Sequence, residues 1–167
     1  MKMLLLAVVA LLFILCHPFH AHSEEPSVKV EAAWVQAVPP GAPATAAFMK
    51  VVNDSEQAVK ISKGSSPAAE KVVPMITTRT EKGGKMVMGM ETVEFLEIPA
   101  NGSIELKPGG DHMMLMGLKE PLKVGATVKL VLEFEDGRPS IELALPIKKS
   151  APADHSDHDH HEHHDHH

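Results

Sequence analysis

Thr127-Val128-Lys129-Leu130-Val131-Leu132-Glu133-Phe134-Glu135-Asp136-Gly137 is the stretch from which the fold can be read. Side chains of a strand point alternately to its two faces, so Val128, Leu130, Leu132 and Phe134 share one face. Lys129, Val131, Glu133 and Glu135 take the other, the pattern of a half-buried strand. Asp136-Gly137 is a turn pair, and Ile141, Leu143 and Leu145 then repeat the alternation. Working outward, short runs of the same kind recur at 28–35, 44–52, 59–62, 71–80, 85–93, 103–106, 112–118 and 140–147. Between them lie Val38-Pro39-Pro40-Gly41-Ala42-Pro43, Asn53-Asp54, Lys82-Gly83-Gly84, Asn101-Gly102 and Gly109-Gly110, all turn or loop chemistry. No helical period or internal repeat interrupts them. The expectation is an all-β domain, an antiparallel sandwich or barrel with a mostly aliphatic core, since the chain has no tyrosine and one tryptophan, Trp34.

The two ends differ from this segment. Lys2 followed by the apolar run from Met3 to Cys16 reads as a secretory signal, too short for a stable membrane span. Ala21 and Ser23 fit the small-x-small rule for cleavage after Ser23, giving a signal over 1–23 and a domain over 24–149. Cleavage after Ala21 would make His22 the new N-terminus, but it places Phe19 where a small residue is preferred. Leu15 is larger than the residue that precedes a lipoprotein cysteine, which speaks against an anchor at Cys16. Loss of the signal removes that sole cysteine, and with it any disulfide, thiolate ligand or cysteine nucleophile. A blue-copper electron carrier and a Cys-based zinc site are thereby excluded.

After Lys149 the composition shifts. Ala151-Pro152-Ala153 links to a tract, 150–167 in all, in which His155, His158, His160, His161, His163, His164, His166 and His167 alternate with acids. With nothing apolar to bury, this tail is expected to be disordered. Its imidazoles and carboxylates form weak, exchangeable sites for Cu(II), Zn(II) or Ni(II). The formal charge of -6 becomes -7 once Lys2 is lost, and the five tail acids leave about -2 on the folded part. No arginine cluster or basic patch exists, so nucleic acid is not an expected partner.

The chemistry lies in two methionine-bearing runs. Met86, Met88 and Met90 are spaced by two and so share a strand face. His112, Met114 and Met116 likewise point one way, with Met113 opposed. Thioethers beside one neutral imidazole suit Cu(I) better than zinc, iron or magnesium. A methionine-rich core is the plain alternative. No Ser/His/Asp or phosphate-loop arrangement appears, and an enzyme is not expected.

From about Val28 to Ile147 the chain resembles the periplasmic copper chaperones called PCuAC. The matching text is Trp34 with Pro39-Pro40-Gly41-Ala42, Ser66-Pro67-Ala68-Ala69-Glu70-Lys71-Val72, Ile98-Pro99-Ala100-Asn101-Gly102 and Leu106-Lys107-Pro108-Gly109-Gly110-Asp111-His112-Met113-Met114-Leu115-Met116-Gly117-Leu118. The resemblance implies a cupredoxin-like β-barrel binding one Cu(I) through His or Met, then Met, then 21 residues, then His-x-Met. Met90 and His112-Met113-Met114 reproduce that spacing. The family's first histidine falls on Met75, with a longer interval to Met90 than usual, so Met75, Met90, His112 and Met114 are the implied ligands. Met86, Met88 and Met116 are substitutes.

The resulting expectation is a periplasmic copper chaperone. It would deliver Cu(I) to an apo-copper acceptor, the copper centre of cytochrome oxidase or its assembly factor being the usual family destination, while the tail captures Cu(II). Rival readings are a periplasmic metal buffer acting through the tail, a copper oxidase using His22 as an N-terminal clamp, and a β-sandwich interaction module with a Met-rich core.

Overall fold

The computed structural model describes residues 27–149, which form ten strands and, among those residues, no helix. The signal segment with Cys16 and His22, and the histidines of the tail, lie outside the described residues. The strands are β1 (Val28–Gln36), β2 (Ala44–Asn53), β3 (Val59–Ser65), β4 (Ala69–Lys82), β5 (Lys85–Thr92), β6 (Leu96–Ile98), β7 (Gly102–Leu106), β8 (His112–Leu118), β9 (Thr127–Phe134) and β10 (Ile141–Lys148). The expected strands are all present. The short β6 is an addition that three residues could not announce by alternation.

Hydrogen bonding runs β5-β4-β8-β2-β1-β10-β9-β3-β6, and a further β4–β3 contact closes the path from β4 through β3 into a ring. The all-β barrel is therefore as expected, with one difference in pairing. β1 and β10, the first and last strands, pair in parallel through Val35↔Ile147 and Gln36↔Lys148, so the sheet is mixed. Closure removes most of the exposed edge, which an open sheet would present to other chains.

Inside the ring lies one core. Val128, Leu130, Leu132 and Phe134 from β9 meet Val35, Ala47, Met49, Ile61, Val72, Met113, Leu115 and Leu145. Three buried apolar residues stand apart from this cluster: Trp34, Phe48 and Val73. The reason is local. The β1–β2 register slips between Glu31 and Trp34, with Ala32 at φ 50, so one extra residue on β1 reverses its alternation. Val35 turns inward and Trp34, opposite Phe48, turns to the outer surface. The cross-strand ion pairs Lys63–Glu133 at 3.2 Å and Lys129–Glu142 at 2.7 Å are exposed and contribute little.

The ring closes at one bridge, Gly64↔Val72. A Cβ on Gly64 would stand 2.8 Å from the Val131 carbonyl oxygen and 3.1 Å from Val72 Cγ1, too close for any side chain. Gly64→Ala should therefore destabilise the domain by about 1–3 kcal/mol, the usual cost of overpacking. Urea unfolding should show a lower midpoint at unchanged slope. An unchanged midpoint would mean that the seam has slack.

Candidate metal centre

Strand β2 has β1 on one side and two collinear strands on the other. β7 pairs with Met49–Asn53 and β8 with Ala44–Ala47. Lys107–Asp111 between them cannot stay in the ladder and loops outward. Pro108 and Gly109 make the turn, with Gly109 at φ 75 and the Gly110 N–H donating to the Lys107 carbonyl at 2.9 Å, a Pro-Gly type II turn. The Lys107 N–H in turn donates to the Asp111 carbonyl at 3.0 Å.

That loop orients His112. The His112 ring Nδ1 is 2.9 Å from the Gly110 carbonyl oxygen. A carbonyl can only accept, so Nδ1 carries the proton and Nε2 keeps a free lone pair. His112 is 4% exposed, yet Nε2 has no hydrogen-bond partner. Of the other buried polar residues among the described ones, Thr45 donates to the Gln36 carbonyl at 2.6 Å and Asn53 bonds the Gln57 and Pro99 carbonyls. No protein group among the described residues satisfies this nitrogen, and leaving a buried acceptor unsatisfied costs about 1–3 kcal/mol.

His112 lines a cavity of about 290 Å³ on the outer face of the sheet. Met114 comes from β8, Met88, Gly89 and Met90 from β5, Thr77 from β4, and Ala46 and Phe48 from β2, while Pro108, Gly109 and Gly110 form the rim. Phe48 packs 6.2 Å from the His112 ring and 4.7 Å from Trp34 between ring centroids. The floor is thus aromatic and separate from the barrel core. Residues opposite each other in a ladder share a face, which places the donors in register. Met75 stands opposite His112, Val73 opposite Met114, Thr77 opposite Met90 and Arg79 opposite Met88.

The two methionine-bearing strands contribute to one cavity. Met90, His112 and Met114 line the cavity together, and so does Met88. Met75 is half-buried beside His112 in the ladder but is not among the lining residues. Met86, opposite Glu81, and Met116, opposite Lys71 and Ala44, are exposed and lie off the cavity. Met113 is buried in the core. No group of three or more His, Cys, Asp or Glu side chains among the described residues could hold a metal, so hard divalent ions find no ready cage there. One imidazole and several thioethers are the donor set, and they fit a soft monovalent ion.

Two contributions escaped the sequence. Asp111 reads as a turn residue, yet its Oδ1 accepts the Thr77 N–H at 2.9 Å. The bond falls just past Met75↔His112, where the β4–β8 ladder ends, and ties the β4–β5 hairpin to the loop that orients His112. Trp34 stands apart from the core cluster and backs Phe48, which lines the cavity. Neither role leaves a mark in residue spacing.

Residues 28–147 match the LpqE-like family, described as "Putative lipoprotein LpqE-like". "Putative lipoprotein Lxx21020" of Leifsonia xyli subsp. xyli (strain CTCB07) is 36% identical over 129 residues, 77% of this chain and 74% of that one. The solution structure of Cu(I)-DR1885 from Deinococcus radiodurans is 40% identical, covering 78% of this chain and 83% of that one, with a TM-score of 0.60. The copper-bound PCuAC domain from PmoF2 covers 75% of this chain and 94% of that one at 20% identity and a TM-score of 0.60, a likeness of fold.

Asp111→Ala should release the hairpin from the loop. Hydrogen bonds to a charged group are worth about 1.5–3 kcal/mol, so exchange of the Thr77 amide should quicken by about tenfold or more. Asp111→Asn, which retains an acceptor oxygen, should restore most of the protection. Equal exchange in all three proteins would deny Asp111 this role.

Proposed function

This chain belongs to the LpqE-like family, of PCuAC type, and on that premise we propose that it is a periplasmic copper chaperone that binds one Cu(I) in the outer cavity. The observation that carries the reading is the unpartnered Nε2 of His112 in a cavity lined by the thioethers of Met88, Met90 and Met114. DR1885, a relative at 40% identity, takes Cu(I), which supports assigning the same cargo here. Met90, His112 and Met114 would ligate the ion. Met75 is the proposed fourth ligand, reached by a rotation of its flexible side chain, with Met88 as its substitute. Met86 and Met116 stand too far along their strands to be needed.

Such a site suits carriage and release. Every donor is neutral, so ligands can be exchanged one at a time for those of an acceptor without stranding a buried charge. Thioether sulfur stabilises Cu(I) over Cu(II), so the cargo is held in its reduced form. The acceptor would be an apo-copper protein such as the copper centre of cytochrome oxidase or its assembly factor. Among the described residues no helix is long and apolar enough to cross a membrane. An exported, envelope location accords with the signal-like 1–23 segment and with relatives named as lipoproteins.

The histidine tail would capture Cu(II) or another divalent ion. Lys148, the last residue of β10, pairs with Gln36, a cavity residue, which favours this reading. Tethering there raises the local metal concentration without any new contact. The alternative, a metal buffer that works mainly through the tail, places all copper binding in that segment.

Anaerobic Cu(I) titration against a competing chelator separates the two. Deleting 151–167 should leave one tight Cu(I) equivalent, and His112→Ala or Met114→Leu should weaken that equivalent by about tenfold or more, some 1.4 kcal/mol each. Complete loss of copper on deleting the tail, or affinities untouched by both substitutions, would leave the buffer reading in place.

A further inference from the structure

The cavity accounts for Met88 and Met90 but not for Met86, although all three lie on one face of β5. They are also among the most exposed large apolar side chains of the described residues, at 64%, 57% and 64% for Met86, Met88 and Met90. By contrast Met49 and Met113 are sealed in the core at 2% and 0%. Packing therefore explains the inner methionines and leaves the row on β5 without a structural purpose.

We infer that Met86 and Met88 form a second, outer Cu(I) station, a step by which the ion passes between solvent and the cavity. The inference rests on the reading that the cavity itself takes Cu(I). Along a strand, residues two apart are about 6.8 Å apart, a gap that two unbranched thioether side chains can close around one ion. Met88 is the shared member. With Met90 it faces the cavity, and with Met86 it faces outward along the hairpin toward Gly83-Gly84.

The charged neighbours make the outer station shallow. Arg79 opposite Met88, and Lys82 and Lys85 beside Met86, oppose a second cation, and Glu81 opposite Met86 offsets them only in part. Two thioethers give harder divalent ions little, so the station discriminates for Cu(I) before the ion meets His112. A weak outer site beside a tighter inner one also gives an acceptor's ligands a first foothold that does not require opening the cavity.

The test uses the full chain carrying methyl-labelled methionine and Cu(I) added stepwise without oxygen, followed by NMR of the methyl groups. Residues 150–167 contain no methionine, so copper held there leaves the signals unmoved. The Met90 and Met114 methyls should shift first, together with that of Met88, which lines the cavity, and the Met86 methyl should shift in a second step. Met86→Leu, an exposed substitution of similar volume, should abolish the second step and leave the first intact. A Met86 methyl that never moves while Met90 and Met114 do, or a second step that survives Met86→Leu, would overturn the outer station and spare the inner site. If Met90 and Met114 stay still as well, the reading beneath it fails with it.

Discussion

Strand β2 is longer than either strand that shares its free edge, and the site follows from how that mismatch is absorbed. β7 and β8 run the same way along β2, and the residues between them leave the ladder as a loop. The loop delivers the Gly110 carbonyl to His112 Nδ1 and the Asp111 carboxylate to the Thr77 amide. The first bond decides which ring nitrogen is a base. The second decides where the β4–β5 hairpin, and hence Met88 and Met90, sits over it. A backbone excursion of a few residues thus fixes both the donor and its neighbours.

The barrel core and the metal-facing surface are built on opposite faces of the same strands. Met113 and Leu115 look inward from β8 while His112 and Met114 look outward. The β1 bulge at Ala32 does the same for Trp34 against Val35, placing Trp34 against Phe48, whose ring in turn neighbours the imidazole. Because the fold depends on the inner face, side chains on the outer face can be exchanged or moved with little cost to stability. That separation is what a protein handing on a metal ion needs.

Much of this could be read from residue order. Alternation in β9 and β10, the Gly83-Gly84 turn and the opposed faces of Met113 and Met114 are local properties, and local properties leave periodic traces. The parallel β1–β10 pair and the closing bridge at Gly64 join residues distant in sequence, so no window of the chain displays them. The outward turn of Trp34 is illegible for a different reason: the extra residue at Ala32, a non-glycine at positive φ, carries no recognisable turn chemistry. Asp111 follows the Pro108-Gly109 turn and has the chemistry of a turn residue, and its bond to Thr77 depends on β4 lying alongside. The resemblance to copper chaperones supplied the ligand spacing. It did not indicate that Met88 would line the cavity while Met75 stood beside it.

The central claim is that His112 offers an unprotonated Nε2 to Cu(I). Nitrogen NMR of the histidine ring in the labelled full chain tests it most directly, before and after one equivalent of Cu(I). The metal-free protein should show His112 with a proton on Nδ1 and a bare Nε2, and the first equivalent should move Nε2 strongly while Nδ1 keeps its proton. A proton found on Nε2, or an Nε2 resonance indifferent to copper while the methionine sulfurs bind it, would contradict the account.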